Sequence, residues 1–375
     1  MLASVQGPLV WLFQNVLPFV LLITPVVFFH ELGHFLVARA CGVTVETFSI
    51  GFGPAIVGWT DRKGTRWKIS WIPLGGYVKF LGDANVASMP DSEQLESMSE
   101  DDRKDAFPFK PLYQRALVVV AGPLANFILA ISIFAGLFLI FGTPVIKPVV
   151  SRVTSNGPAA HAGLHAGDMI ISVDGVAVQS FNEIPGIIFD KVGQTIPVVV
   201  DRNGKVIRLG IAPYSDTDKE TGERVGRFGI GWPDRKYWSV RRYGPFEALA
   251  AGAGSTWTVV DKTFDLVIKR FTFQLGQGQI RGPLGIAQVS ARVASVSWVD
   301  FIQLAALISV SVGLINLFPI PVLDGGHLLY YGFEAVLGKP LGARAQDVGF
   351  RLGLALMLGF FLFATWNDLA RLLHP

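Results

Sequence analysis

The chain has 375 residues, 51% of them hydrophobic and only 16% charged, with a mean hydropathy of +0.45. Soluble domains carry about 25% charged residues, so a single soluble globule is excluded. The net charge of +3 is small and spread along the chain, which leaves no nucleic-acid footprint.

The first uncharged stretch, Met1–Phe29, is long enough to span a membrane. No Lys or Arg precedes Arg39, so it lacks the basic flank of a cleaved signal peptide. It runs directly into His30-Glu31-Leu32-Gly33-His34, after which Phe35-Leu36-Val37-Ala38 resumes the apolar pattern. On a helix the two histidines share a face and can grip one Zn²⁺, while Glu31 can take a proton from the attacking water. Ionisable side chains inside a span are costly and are functional by default. Cys41, the one cysteine, excludes an internal disulfide and reads as a packed small residue.

Residues 43–83 read as short strands, with turns at Asp61–Gly64 and Gly75-Gly76. Residues 84–105 are acidic and polar and read as a mobile loop. Ala116–Ile146 is the second span. Residues 147–213 then have the pattern of a small soluble β-rich domain, and 216–236 that of a linker. A helix follows over 243–273. Its uncharged run, Ala248–Val260, has 13 residues, too few to cross and suited to an interfacial or buried helix.

Phe301–Leu323 is the third span, and Leu352–Asn367, extended past Arg351 by Val348–Phe350, is the fourth. Basic residues after the first span and around Lys339–Arg351 place those two loops in the cytoplasm and both termini outside. Two histidines leave a catalytic zinc one protein ligand short. Asp324 is the favoured donor and His327 its rival, with an ordinary interfacial turn at Asp324-Gly325-Gly326 as the alternative. The topology brings the His pair and Asp324 to one membrane depth. Pro319 and Pro321 break the helix there, which is tolerated only within protein or beside a wet cavity.

These motifs together resemble the site-2 protease family of intramembrane zinc metalloproteases, in its bacterial RseP-type branch. The resemblance covers nearly the whole chain. It includes His30–His34, Phe48–Pro54, Pro73–Lys79, Ala121–Phe127, a PDZ-like Gly163–Gly175, Gly282–Ala287 and Asn316–Gly326. It implies His30, His34 and Asp324 as zinc ligands, Glu31 as general base and Asn316 near the site. Ile50, Gly51, Phe52 and Gly53 are candidates for substrate pairing as a strand edge, or else form a structural turn. Asn126 reads as an interhelical hydrogen-bonding residue beside the site, and His161 and His165 as solvated loop residues. Ser311 departs from the Asn of many members, and one PDZ-like domain stands where some members carry two.

The implied fold is a polytopic α-helical membrane protein of four spans, with a membrane-associated β-rich loop and an inserted extracytoplasmic PDZ-like domain. Its segments are the first span (1–42), cytoplasmic β-rich loop and acidic segment (43–113), second span (114–146) and PDZ-like domain (147–214). An extracytoplasmic linker with juxtamembrane helices (215–296), the third span (297–323), a cytoplasmic loop (324–347) and the fourth span with the C-terminus (348–375) complete it. The implied location is the bacterial inner membrane, with the active site near the cytoplasmic side. The implied partners are the lipid bilayer, single-span substrates such as trimmed anti-sigma factors or remnant signal peptides, and a peptide or ectodomain at the PDZ-like domain. The rivals are a non-catalytic PDZ scaffold, which has no need of Glu31, and a zinc transporter, for which spans two and three lack ionisable residues.

Overall fold

The computed structural model describes residues 8–83, 92–217, 224–271 and 282–373. The helix that begins the chain, α1 (Pro8–Ala40), does not stop at the first ionisable residues but carries His30–His34 in its interior. It leads into two long strands, β1 (Val45–Thr60) and β2 (Arg66–Phe80), which pair as an antiparallel hairpin. Its turn lies at Asp61–Thr65, one of the two expected positions. Asp61 organises that turn. Its carboxylate accepts from Arg39 at 2.5 Å, from the Trp67 indole at 3.1 Å and from the Lys63 and Thr65 amides. Partial burial works against the charge, but these hydrogen bonds hold the Asp61 carboxyl down at about 2.

Gly75-Gly76, expected as a turn, lies inside β2 instead. Both strands bend, so Thr47–Ile50 pairs with Arg66–Ile69 on one side and Gly76–Lys79 on the other. Ile50 is therefore an inner position of the sheet, not an edge. The Gly76–Phe80 end of β2 is one edge of this sheet, and Ala55–Thr60 of β1 is the other. Phe48, stacked on Trp67, joins Phe35, Val78, Phe80 and Val118 in a buried cluster that seats the sheet on α1. Towards the turn the same sheet exposes Ile56, Val57, Trp59, Trp71 and Ile72.

The segment expected as a mobile loop contains two short helices, α2 (Ser92–Ser97) and α3 (Glu100–Asp105), the second capped by Ser99. Residues 84–91 of that reading lie outside the described residues. The second span is α4 (Leu112–Phe141).

A second compact unit comprises Phe138–Pro245 and Ile268–Gly278. Its strands and helices are β3 (Thr143–Ile146), β4 (Arg152–Val153), α5 (Pro158–His161), β5 (Met169–Val173), β6 (Val176–Ala177) and α6 (Ile184–Ile188). β7 (Ile196–Arg202), β8 (Lys205–Ile211), β9 (Tyr214–Thr217), β10 (Arg224–Arg227), β11 (Ile230–Gly231) and β12 (Trp238–Arg241) follow. The main sheet has the order β6-β5-β7-β8. It buries Ile170, Val173, Val198, Val200 and Ile211 against Ile184 and Phe228. Asp168, itself buried, takes two 2.7 Å bonds from Arg202 and one from the His165 amide. Although burial raises it, those bonds hold its carboxyl below the usual range.

The linker reading of 216–236 does not match this unit. β9 pairs with β10, β11 pairs with β4, and Phe228 is in the core. The segment looks polar because its described apolar side chains that meet the core, Phe228 and Ile230, are few, and the residues they meet are distant in sequence.

The remaining helices are α7 (Pro245–Phe271), α8 (Pro283–Val296), α9 (Trp298–Asn316), α10 (Asp324–Leu337) and α11 (Ala343–Leu373). The first compact unit holds Met1–Leu137, Phe246–Val267 and Gln279–Pro375. Within it α8, expected as juxtamembrane, packs against α1 and α9. The buried Asp368 of α11 caps α8, accepting from the Gly282 and Gly285 amides at 3.0 and 2.8 Å. The third span ends at Asn316, earlier than Leu323, because Pro319 and Pro321 cannot continue it. The loop expected over 324–347 is mostly helix α10. Among the described residues, four helices are long and apolar enough to cross a membrane: Phe13–Ala40, Leu112–Phe141, Trp298–Asn316 and Arg344–Ala370.

Candidate metal centre

His30 and His34 lie one turn apart on α1 and are buried, 8% and 9% exposed. Asp324 opens α10. Helix α10 starts tightly under the 317–323 loop, which is possible because Gly325 and Gly326 have no side chain. A Cβ on Gly325 would stand 2.2 Å from the Phe318 carbonyl oxygen, and one on Gly326 2.5 Å from that of Ile320. Val322, two residues before Asp324, has φ of 100°, a strained value for a β-branched residue. This bent, crowded entry is what carries the Asp324 carboxylate back towards α1.

The three side chains converge. His30 Nε2 lies 3.2 Å from His34 Nε2 and 3.2 Å from Asp324 Oδ2, and His34 Nε2 lies 3.5 Å from Asp324 Oδ1. Ligand atoms on tetrahedral zinc, each about 2.1 Å from the ion, are separated by about 3.4 Å. The donor spacing therefore fits such an ion. Beyond its histidine contact, Asp324 Oδ2 is buried without a hydrogen bond, as a carboxylate oxygen awaiting a cation would be. Among the described residues this is the group of His, Cys, Asp and Glu side chains that could hold a metal.

Helix α4 orients both imidazoles through their other nitrogens. His34 Nδ1 is 2.8 Å from the Val118 carbonyl oxygen, and His30 Nδ1 is 3.2 Å from the Asn126 side-chain amide. The Val118 carbonyl accepts from His34 Nδ1–H, which leaves Nε2 of that ring for the common point, and the Asn126 amide fixes the orientation of the His30 ring. Asn126 is fully buried, and its main-chain carbonyl oxygen accepts from the Ser309 hydroxyl of α9 at 2.8 Å. The bidentate Arg115–Glu334 pair, with Arg115 also over Tyr331, fastens α10 to α4. The Asp324 helix and the histidine-orienting helix are thereby tied to each other.

A cavity of about 440 Å³ contains the cluster. Glu31 lines it, as does Val78. Asn316 and Phe52 line it as well. Ile50, Gly51 and Gly53 do not, whereas Gly75–Val78 do. The edge that meets the site is thus the last part of β2, which sequence reasoning missed because the glycine pair looked like a turn. His327 lines the cavity outside the three-atom cluster. Ser311 is not among the lining residues, and its hydroxyl donates to the Leu307 carbonyl of its own helix. Gly122 was also missed as a functional position, although the Ala121–Phe127 motif contains it. The His34 ring lies against its Cα.

The profile of peptidase family M50 matches residues 18–360. A protein of Agrobacterium fabrum whose name describes a zinc metalloprotease is 45% identical over 96% of each chain. The regulator of sigma E protease of Salmonella typhi is 31% identical over 96% of this chain and 99% of its own. Among solved structures, the PDZ domain of an SdrC-like protein from Listeria monocytogenes is 32% identical. It covers 23% of this chain and 87% of that one, with a TM-score of 0.20.

Proposed function

The chain belongs to peptidase family M50 and is a zinc metalloprotease, and from that premise we propose an intramembrane endopeptidase whose zinc is held by His30, His34 and Asp324. The observation that carries this reading is the meeting of the three ligand atoms beside Glu31, in a cavity lined by residues of all four candidate membrane spans. When bound, the zinc supplies Lewis-acid chemistry, polarising the scissile carbonyl and acidifying water. Glu31 accepts the proton of the attacking water and returns it to the leaving amine nitrogen. The Val118 carbonyl holds the His34 imidazole with Nε2 free, and Asn126 orients the His30 ring. Asn316 presents its amide to the substrate backbone. The Gly76–Val78 edge offers main-chain partners to an extended segment, so the substrate helix unwinds before it is cut.

Substrates in this reading are single-span membrane proteins already trimmed on the outer side, such as anti-sigma factors or remnant signal peptides. The sigma-E regulator among the relatives supports that class. The protein sits in the inner membrane. Charge asymmetry favours a cytoplasmic hairpin, with the termini and the second unit on the periplasmic side. The exposed apolar face of the hairpin suits membrane contact. The turn–strand–turn pattern of Gly163–Gly175 and the small antiparallel sheet support a PDZ-like unit that filters substrates by their outer tails.

Two experiments test these assignments. Asp324→Ala should strip most of the zinc and abolish cleavage of a reconstituted single-span substrate, whereas His327→Ala should retain both. Elemental analysis showing the reverse would exchange their roles. In the same assay, a substrate with a short outer tail should be cut at least about tenfold faster than one carrying a folded outer domain, the consequence of a barrier increment of about 1.4 kcal/mol. Equal rates would remove the filter.

A further inference from the structure

The second unit carries a surface that the metal centre does not use. Arg235-Lys236-Tyr237-Trp238-Ser239-Val240-Arg241-Arg242 holds four cations and two aromatic residues in eight positions. Asp234, 3.9 Å from Lys236, is the acid at its border. β12 within this segment is exposed at every position, Trp238 and Val240 included.

Pairing fixes where this segment lies. β12 runs antiparallel to β3, with Arg241 opposite Thr143 and Trp238 opposite Ile146. β3 begins two residues after α4 ends at Phe141. The last turn of α4 belongs to the same unit, and its Phe138 ring stacks on Tyr243 at 5.6 Å. The Tyr243 hydroxyl is 3.0 Å from the Thr143 hydroxyl, and the Arg241 guanidinium lies 4.9 Å from the Tyr243 ring centre. Four residues of strand extend about 13 Å, so the whole ribbon stays close to the end of a hydrophobic span. Leu139, Ile140 and Phe141 at that end are exposed. A span end of this kind marks the hydrocarbon boundary, where Trp and Tyr concentrate and where Lys and Arg meet headgroups.

We infer that the β3–β12 ribbon is a docking surface for anionic phospholipid headgroups of the leaflet into which α4 emerges. Arg241 and Arg242, nearest the span end, contact lipid phosphate. Trp238 and Val240 meet the acyl boundary beside Phe141, and Arg235 and Lys236 extend the cationic stripe. Anionic lipid is the occupant favoured by charge complementarity and by the covalent tie to the span. The inference concerns the membrane placement of this unit and does not rest on the protease reading.

The test uses the full chain with Cys41→Ser and Ser239→Cys, a fluorophore on the new thiol, in nanodiscs of phosphatidylcholine alone or mixed with phosphatidylglycerol. Quenching by aqueous iodide should fall in the phosphatidylglycerol discs and recover at high salt. Removing the four cations together (Arg235→Gln, Lys236→Gln, Arg241→Gln, Arg242→Gln) should abolish the difference, each surface cation being worth about a fivefold change in lipid association. Arg241→Lys with Arg242→Lys should preserve it. Unchanged zinc content shows that each variant is folded. Equal quenching in the two lipids overturns the inference. So does protection that persists in the four-cation variant, which would mean apolar insertion alone.

Discussion

Glu31→Gln is expected to lower peptide-bond cleavage by about 10³-fold while the purified protein keeps its zinc. Two jobs are divided within one helical turn. In the proposed site His30 and His34 offer ligand atoms, and Glu31, lining the same cavity, does not belong to the three-atom cluster. Glutamine keeps the size of the side chain but has no basic oxygen for a proton. General base catalysis contributes about 10²–10⁴-fold, so a loss in that range is the signature of the role. Metal analysis beside single-turnover cleavage decides the matter. Cleavage near the wild-type rate, or loss of zinc together with activity, would reassign Glu31.

Gly122→Ala is expected to cost as much by another route. A Cβ on Gly122 would lie 2.1 Å from His34 Nε2 and 2.5 Å from Cε1, inside the ring itself. The imidazole has no free torsion to yield, because its Nδ1 is held by the Val118 carbonyl on the same helix. Either that hydrogen bond breaks or α4 moves away from α1, and both displace a ligand atom. Changes around metal ligands weaken metal binding by about 10–100-fold. A ligand pushed off its position should reach the upper end of that range, with activity lost in proportion. Competition with a chelator of known affinity measures it. Wild-type zinc affinity in this variant would show that the helices part without strain.

The two variants differ in how their positions can be found. Glu31 is legible from spacing alone, because a His-x₃-His pair on a helix has one face and leaves the intervening acid beside it. Gly122 carries no chemistry in its side chain, and nothing local to α4 says that an imidazole rests on it. Asn126 is intermediate. A polar residue in a span demands a partner, but only the fold names His30 as that partner. Asp324 follows the same logic. The prolines announce a broken helix, yet an interfacial turn and a metal ligand have the same local sequence.

The β region shows the limit of local reading more sharply. Strand content and the Asp61–Thr65 turn follow from composition and alternation. Gly75-Gly76 carries a turn signal, but it lies inside β2, on the stretch that lines the cavity. A glycine pair marks a turn or a close backbone approach equally well. The second unit repeats the lesson, since Phe228 and Ile230 looked like part of a linker until their distant core partners were in place.

What the sequence by itself determined is set by short-range physics. Uncharged runs of sufficient length require helices in lipid, because backbone polar groups have no other partner there. A helical period of four residues places His30 and His34 on one face, and alternation makes strands. Only the tertiary structure decided which carboxylate completes the cluster and which strand edge borders the cavity. It also decided which groups on α4 orient the rings. Those depend on contacts between residues up to some hundreds of positions apart, such as His30 with Asp324. No local propensity encodes such contacts, and they arise when several helices and a sheet bury their apolar faces together.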